Sequence, residues 1–235
     1  MSTEAVEGVD RRRALASIAK QIALCRECAL ARGATNPVPG EGSAEAEIVF
    51  IGEGPGFYED QQGRPFVGAS GKFLDELLRS IGLDRRKVFI TNIVKHRPPN
   101  NRDPLPEEIS ACRRFLDEQL AAIQPKVIVT LGRHSLQRYF PGESIGRIHG
   151  QPRRKDGFIV VPMYHPAAAL HQQSLRRVIE ADFQKLPSLL ARALGGEASA
   201  AEAPPVAPRP AAAPAPAPVA AAPAADPEAQ QMRLL

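Results

Sequence analysis

Four short apolar segments, separated by longer amphipathic stretches, restrict most strongly what this chain can fold into. Their sequences are IVFI (48–51), KVFITN (87–92), KVIVTLG (126–132) and FIVVPMYHP (158–166). Each has the length and the β-branched composition of a buried strand. Strands that are buried on both faces and alternate with helices belong to parallel sheets. We therefore expect an α/β fold with a short, four-stranded, mainly parallel sheet covered on both faces.

Apolar residues at helical spacing fill the intervals between and around the strands. We expect helices over Arg11 to Leu24, from Ser70 as N-cap to Gly82 as stop, from Pro106 through Leu120, from His134, and from Ala168 to about Leu194. The last of these closes the fold.

The C-terminal part of the chain has a different composition from the rest. Residues 198–227 are almost entirely alanine and proline, which offer too little large apolar surface to offset the entropy of ordering them. We expect one folded domain over residues 1–196 and a disordered tail over 197–235. The tail could contact an unknown protein partner.

Charge and hydropathy narrow the class of protein. The formal net charge is +4, which suits a polyanionic partner but is also common among ordinary domains. No apolar run is as long as a membrane span, and the N-terminus lacks the apolar core of a signal peptide. We expect a cytoplasmic monomer that is not bound to a membrane.

In open α/β sheets, ligands bind beyond the carboxyl ends of the strands. The residues in those places are Glu53 to Gly56, Asn92 to Arg97, Gly132 to His134, and Tyr164 to Pro166. They are polar, rich in glycine and rich in histidine. This edge of the sheet is the predicted active site.

The loop GEGPGFYEDQQGRPFVGASG (52–71) follows the first strand. It lacks the Gly-Lys-Ser/Thr of a P-loop, and the dinucleotide pattern fails where Phe57 replaces the last glycine. One interpretation is a tight turn from strand to helix. The other is a pocket for a flat polar ring, with Phe66 stacking on one face and Glu53 or Glu59 near its edge.

A second loop, YHPAAALHQQSLRR (164–177), follows the last strand. His165 is either a structural histidine or a catalytic one, and its place at the carboxyl edge favours the second interpretation. Leu170 either begins a helix or acts as an apolar wedge in a base stack.

Three cysteines, an odd number, argue against a disulfide framework. Cys25 and Cys28 have the C-x-x-C spacing of a metal or redox site, and Cys112 would add a third thiolate. Cys112 could instead be a buried apolar residue of its helix. A fourth ligand is needed for a complete site, and His96 is a candidate in the loop before the Cys112 helix.

Several motifs occur together and in order: C-x-x-C after the first helix, GEGPG, EDQQGRPFVGASG, TNIVK-RPPNNRDP, the Cys112 helix and YHPAA. Over about residues 18–190 the chain resembles the family 4 uracil-DNA glycosylases, which carry a [4Fe–4S] cluster. The resemblance implies a three-layer α/β/α fold. It also implies a DNA repair activity: hydrolysis of the N-glycosidic bond of deoxyuridine in single- or double-stranded DNA, leaving an abasic site.

The resemblance also implies residue roles in binding the uracil. Phe66 would stack on the flipped-out base, and Asn92 would hydrogen-bond the polar edge of the ring and reject thymine and cytosine. Gly54 would line the same pocket, and Asn101 matches a family position near the site.

Catalytic roles follow from the same resemblance. His165 would donate to uracil O2 and stabilise the negative charge of the leaving base, as an oxyanion hole does. Glu53 and Glu59 are the carboxylates that could orient water and face the cationic sugar. The phosphate-binding candidates are Arg64, Lys95, Arg97, Arg102, Arg133, Arg176 and Arg177.

The chain departs from the family pattern at one position, where His96 replaces a cysteine. Cys25, Cys28 and Cys112 match the other three cluster ligands, so we infer a Cys3His-ligated [4Fe–4S] cluster. A neutral imidazole in place of a thiolate makes the site less negative and should raise its potential. Protonation at low pH would remove this ligand.

Two alternatives remain open at this stage. A related branch of the superfamily binds uracil-DNA and traps it covalently through a histidine in an inserted K-R-R-I-H loop, and this chain has neither the insertion nor the second histidine there. GRIHG (146–150) is similar but follows the third strand. The other alternative is a non-catalytic binding module in which the cysteines hold zinc.

Overall fold

A computed structural model describes the backbone of residues 3–194 and the side chains of residues 10–194. The tail expected over 197–235 lies outside these residues, as do the last two residues of the expected domain. The helices are α1 (Thr3–Leu24), α2 (Ala29–Gly33), α3 (Phe57–Gln62), α4 (Ala69–Ser80), α5 (Pro106–Ile123), α6 (Arg133–Tyr139), α7 (Ile145–Ile148), α8 (Pro166–His171), α9 (Gln173–Phe183) and α10 (Leu186–Leu194), with a 3-10 turn at Pro99–Asn101.

The strands are β1 (Glu41–Gly42), β2 (Ile48–Gly52), β3 (Phe89–Asn92), β4 (Val127–Leu131), β5 (Arg153–Lys155) and β6 (Phe158–Met163). They form one sheet in the order β1-β3-β2-β4-β6-β5. The four strands expected from the apolar segments are its parallel centre, with Phe50 of β2 paired to Ile90 of β3 and Val129 of β4. The expected α/β fold with a mainly parallel sheet is confirmed.

The sheet has six strands rather than four, because a short antiparallel strand borders it on each side. Neither edge strand has an apolar pattern that would mark it. β5 is Arg-Arg-Lys, and such charged residues are typical of edge strands because they discourage pairing with other chains. The turn from β5 to β6 is Asp156-Gly157, and both residues have positive φ (51° and 84°), as a two-residue hairpin turn requires.

The two faces of the sheet are covered by different helices, which gives the expected three layers. Along β2, side chains alternate between the two apolar cores. Phe50 packs with α4, α9 and α10, and its ring stacks on Phe183 at 5.8 Å. Ile51 packs on the opposite face with α1 and α5, where Ile22 and Phe115 are buried.

Two helix predictions were wrong in detail. Ser70 is not an N-cap: α4 begins at Ala69, and the extended residue before it is Gly68. The expected C-terminal helix is three helices, because the backbone is extended at Gln172 and α9 ends at Phe183. The second break has a cause in the sequence, since Pro187 cannot continue a preceding helix.

None of the helices within residues 3–194 is long and apolar enough to cross a membrane.

Candidate active site

A cavity of about 810 Å³ opens at the carboxyl edge of the sheet. Segments that follow β2, β3, β4 and β6 all contribute to its wall. It is lined by Glu53, Gly54, Pro55, Gly56, Glu59, Phe66, Ser70, Asn92, Pro98, Asn101, Arg102, Asp103, Arg133, His165, Ala167, Ala168 and His171. The structure therefore brings together every residue to which the sequence assigned uracil binding or catalysis.

Gly52, the last residue of β2, lets two of these side chains approach each other. A Cβ at this position would lie 2.4 Å from Asn92 Oδ1 and 2.8 Å from the Phe66 ring. The missing side chain thus makes room for an amide and an aromatic face at the floor of the cavity. Asn92 is buried, and its side-chain amide has no hydrogen-bonding partner within the described part of the chain.

Phe66 is held in a conformation that is rare for a residue with a side chain, with φ of 52°. Arg85 stabilises this turn by donating a 2.8 Å hydrogen bond to the Phe66 carbonyl and a second one to the carbonyl of Pro65. Gly71 packs against the same carbonyl, which leaves no room for a Cβ there. Backbone strain of this kind is maintained only where the surroundings impose it, and it is common in binding sites.

His165 lies beside Phe66, with the two rings stacked at a centroid distance of 5.4 Å. The Ala167 amide donates a 3.1 Å hydrogen bond to His165 Nδ1. In the neutral imidazole the ring proton is therefore on Nε2, which can donate to a bound group. Burial lowers the pKa of His165 to about 4, against a smaller opposing effect of Glu59, so the ring is neutral at physiological pH.

The two candidate carboxylates have different environments. Glu59 is buried, and its Oε1 accepts hydrogen bonds from the backbone amides of Val67 (2.8 Å) and Gly68 (2.9 Å). These bonds hold the loop that carries Phe66. The Glu53 carboxylate is half-buried and has no hydrogen bond within residues 10–194. Burial raises the pKa of Glu53.

Three side chains lie around Glu53: His134 and Arg133, which follow β4 at the predicted edge of the sheet, and Asp103, which the sequence did not indicate. His134 Nε2 lies 3.7 Å from Glu53 Oε2 and 3.3 Å from Asp103 Oδ1. Arg133 donates a 3.0 Å hydrogen bond to His134 Nε2 and pairs with Asp103. His134 and Arg133 lower the pKa of Glu53, whereas Asp103 raises it, all of them less than burial does.

Asn101 and Gly54 both line the cavity wall. Asn101 is exposed, has φ of 54°, and accepts a 2.8 Å hydrogen bond from Arg97 Nε. At Gly54 a Cβ would lie 2.8 Å from Val94 Cγ2, so this glycine allows the loop after β2 to pack on the loop after β3.

The model of the family described as "Uracil DNA glycosylase superfamily" matches residues 39–186. That range contains the whole cavity wall. The chain belongs to the uracil DNA glycosylase superfamily.

Curated members of this superfamily are similar to the chain over most of their length. A type-4 uracil-DNA glycosylase of Sulfurisphaera tokodaii is 50% identical over 185 residues, which cover 74% of this chain and 84% of that protein. Type-4 enzymes of Saccharolobus solfataricus and Archaeoglobus fulgidus are each 48% identical over 74% of this chain, and 85% and 92% of their own lengths are covered. The resemblance to these glycosylases is confirmed.

The three cysteines of the protein lie on one side of the sheet, outside the cavity wall. Cys25 follows α1, Cys28 precedes α2, and both pack against the apolar core that contains Cys112 of α5. Burial raises the pKa of the Cys112 thiol, and the nearby Lys95 opposes this to a smaller extent. His96 is also buried, and its pKa is lowered by burial and then by Arg26 of the C-x-x-C loop.

The distances among the ligand atoms of Cys25, Cys28, His96 and Cys112 indicate which kind of metal group these side chains could hold. Within the described residues, no three of their ligand atoms all lie within 4.8 Å of one another. A single tetrahedral zinc, with bonds of about 2.3 Å to sulfur, holds its ligands roughly 4 Å apart. The wider arrangement and the three thiolates suit an iron–sulfur cluster better than one zinc ion.

Lys95 lies between this region and the cavity, and its prediction as a phosphate ligand was wrong. Its side chain is completely buried. Lys95 Nζ donates hydrogen bonds to Thr91 Oγ1 (2.7 Å), the Asn92 carbonyl (2.8 Å) and Gln119 Oε1 (2.8 Å). Burial lowers the pKa of Lys95 to about 7, and this is partly opposed by Cys112. The ammonium group therefore supports the end of β3.

Other predicted phosphate ligands also have partners within the protein. Arg64 pairs with Glu41, Arg102 with the buried Glu108, and Arg176 with Glu76 and Glu180. Arg133 lies in the cavity wall and pairs with Asp103, and Arg97 donates to Asn101 of the same wall.

Proposed function

We propose that the protein hydrolyses the N-glycosidic bond of deoxyuridine in DNA, releasing uracil and leaving an abasic site. It thereby initiates base excision repair as a monofunctional glycosylase. The observation that carries this proposal is the convergence of an aromatic face, a free amide and a neutral imidazole on one cavity, from Phe66, Asn92 and His165. The type-4 relatives, named uracil-DNA glycosylases, support the same reaction.

Uracil recognition is assigned to the floor of the cavity. The base leaves the helix and stacks on Phe66, whose strained backbone holds the ring in place before substrate arrives. The Asn92 amide offers one donor and one acceptor to the edge of the ring. A site built to satisfy such polar groups rejects bases that leave them unpaired.

Stabilisation of the departing base is assigned to His165. Cleavage leaves negative charge on uracil, and a neutral imidazole with its proton on Nε2 can donate to O2 without first gaining a proton. The Ala167 amide fixes this tautomer, and burial keeps the ring neutral.

Of the two carboxylates, Glu53 is assigned to water and to the cationic sugar. Both lie in the cavity wall, but Glu59 already accepts two backbone amides and is committed to the Phe66 loop. Glu53 has no such bonds and faces the cavity. Its carboxylate can orient a water molecule and stabilise positive charge on the sugar.

A [4Fe–4S] cluster held by Cys25, Cys28, His96 and Cys112 completes the proposal. When bound, such a cluster supplies covalent cross-links among the C-x-x-C loop, the loop after β3 and helix α5. His96 is four residues after Asn92 on the same loop, so these links would support the uracil site. The proposed role is structural.

The test of the reaction is a glycosylase assay with uracil-containing oligonucleotides. Asn92→Ala and His165→Ala should each lower kcat by about 10²- to 10³-fold, the usual effect of removing a transition-state donor. Gln151→Ala is the control, because that side chain is exposed and lies outside the cavity wall; it should keep kcat within a few-fold of wild type. Full activity of both Asn92→Ala and His165→Ala would disprove these roles.

The test of the cluster uses readouts other than activity. His96→Ala should be purified with little iron and little visible absorption, whereas His96→Cys should retain both. The cluster of His96→Cys should also have a lower reduction potential, because a thiolate adds negative charge. Wild-type iron content in His96→Ala would contradict the assignment of His96 as a ligand.

A further inference from the structure

An aromatic pair lies exposed beside the cavity and has no role in the reaction proposed above. Phe57 and Tyr58 begin α3, directly after Gly56 of the cavity wall. Phe57 is 49% exposed and Tyr58 is 60% exposed. Their rings contact edge to face, with centroids 5.4 Å apart and an interplanar angle of 81°. Large aromatic side chains at the surface favour binding of a partner surface or ligand over free solvation.

A positively charged side chain, that of Arg97, lies beside Phe57. The Arg97 guanidinium lies over the Phe57 ring, 5.1 Å from its centroid. Asn101 Oδ1 accepts from Arg97 Nε at 2.8 Å and fixes this position. Arg97 covers one face of Phe57 and Tyr58 meets it edge-on, yet about half of the residue remains accessible. Aromatic rings beside a cation match single-stranded nucleic acid, in which bases stack and phosphates need a counter-charge.

We infer that Phe57, with Tyr58 and Arg97 beside it, stacks on the unpaired base next to the flipped uracil in single-stranded DNA. This inference rests on the proposed glycosylase function, because the cavity must hold the uracil for its neighbour to reach the pair. In duplex DNA the neighbouring base stays stacked in the helix, so the platform has nothing to bind. Phe57 therefore contributes a preference for single strands.

Binding to an uncleavable oligonucleotide tests the inference without depending on turnover. The probe is a single-stranded oligonucleotide that carries 2′-fluoro-2′-deoxyuridine, with 2-aminopurine placed next to it on the 5′ or the 3′ side. Binding of wild type should quench the fluorescence of one of these two probes, because its base stacks on Phe57. Phe57→Leu, which keeps apolar volume but loses the ring, should abolish the quench and raise Kd about 10-fold. Phe57→Trp should retain the fluorescence quench and the Kd of wild type.

A second pair of probes separates stacking from loss of fold. In these probes an abasic spacer replaces the nucleotide on the 5′ or the 3′ side of the uridine analogue. Where the spacer replaces the nucleotide whose base stacks on Phe57, Phe57→Leu and wild type should bind with equal Kd. Phe140→Leu is the matched control, because Arg153 covers the Phe140 ring at 5.6 Å and Phe140 is not in the cavity wall. It should change neither Kd nor quench. Duplex probes should bind wild type and Phe57→Leu alike.

Three results would overturn the inference: quench and Kd unchanged in Phe57→Leu, a loss of affinity that persists on both abasic-spacer probes, or an equal loss on duplex DNA. Failure of the proposed function is distinguishable. In that case uracil release by wild type is absent, whatever the 2-aminopurine probes report.

Discussion

Burial shifts the pKa of two side chains in the cavity, His165 and Glu53, each in the direction that favours its neutral form. For His165 the neutral form is the one that the proposed reaction uses, so its lowered pKa (about 4) keeps it functional across the physiological range. For Glu53 the useful form is the anion, and its raised pKa works against ionisation. The acidic limit of activity should therefore depend on Glu53 and its neighbours.

The neighbours of Glu53 predict shifts of opposite sign in the pH profile. His134 lowers the pKa of Glu53 and Asp103 raises it. His134→Gln should therefore move the acidic limb of kcat/KM to higher pH, whereas Asp103→Asn should move it to lower pH. The measurement is kcat/KM against pH on a single-stranded uracil substrate. An acidic limb that stays in place in both variants would remove Glu53 as the titrating group.

At the scale of secondary-structure elements, helix α5 connects the cavity wall with the cysteine region. Its N-terminus is closed by Glu108, whose Oε2 accepts from the Leu105 amide at 2.8 Å. Arg102 of the cavity wall donates to both oxygens of the same carboxylate, at 2.7 and 2.8 Å. One turn further along α5 lies Cys112, so this cap supports both regions.

Loss of the cap should cost stability in a pH-dependent way. Glu108→Ala should lower the free energy of unfolding by about 1–3 kcal/mol, because the Leu105 amide and the Arg102 guanidinium lose their partner. The Arg102 hydrogen bonds lower the pKa of Glu108 in the fold. Its contribution is therefore present above the unfolded pKa and is lost as pH falls through the folded one.

Urea unfolding of wild type and Glu108→Ala at several pH values measures this. The control is Glu45→Ala, which removes the exposed ion pair with Arg12 and should change the free energy of unfolding by less than about 1 kcal/mol. A difference between wild type and Glu108→Ala that is equally large at pH 7 and at pH 3 would contradict an ionised cap.

Element by element, sequence patterns predicted what depends on burial and missed what depends on tertiary contacts. The four central strands are apolar throughout, so their composition marks them. β1 has two residues and no periodicity, although the Asp156-Gly157 turn was a usable signal for β5. Pro187 was a usable signal for the break before α10. Nothing in the sequence explains the extended backbone at Gln172.

In the candidate site too, sequence patterns located some residues, whereas others are brought together only by tertiary contacts. Asn92 ends β3 and His165 follows β6, so the rule that ligands bind at strand ends located them. Asp103 was missed, and the proximity of His134 to Glu53 was not predicted, because these contacts exist only after β2, β4 and the loop before α5 come together. Lys95 looked like a phosphate ligand because its neighbours are basic, and only the fold shows that its ammonium group is buried.

For the whole molecule, the loop after β3 joins the two regions on which the proposal depends. Asn92 lies in the cavity wall, and His96 lies on the other side beside the C-x-x-C loop. Between them, Lys95 fixes the Asn92 carbonyl from within the core. This arrangement supports the structural role proposed above for a cluster at this position.

The covalent DNA-trapping alternative makes a different prediction for the whole molecule. The loop of residues 97–105 carries no histidine, and the curated relatives reported above are named as glycosylases. His149 of the GRIHG segment is bonded to the buried Asp182 at 2.7 Å, which ties it to α9. The comparisons therefore favour turnover.

The most direct test is to count the uracil released by each enzyme molecule from a single-stranded oligonucleotide in excess, while the DNA is followed on a denaturing gel. A glycosylase that turns over should release many uracils per enzyme molecule, leave an alkali-labile site at each former uracil, and give no protein–DNA band that resists SDS. A stable protein–DNA band at one per enzyme, or no release of uracil by cluster-loaded wild type, would contradict the proposed function.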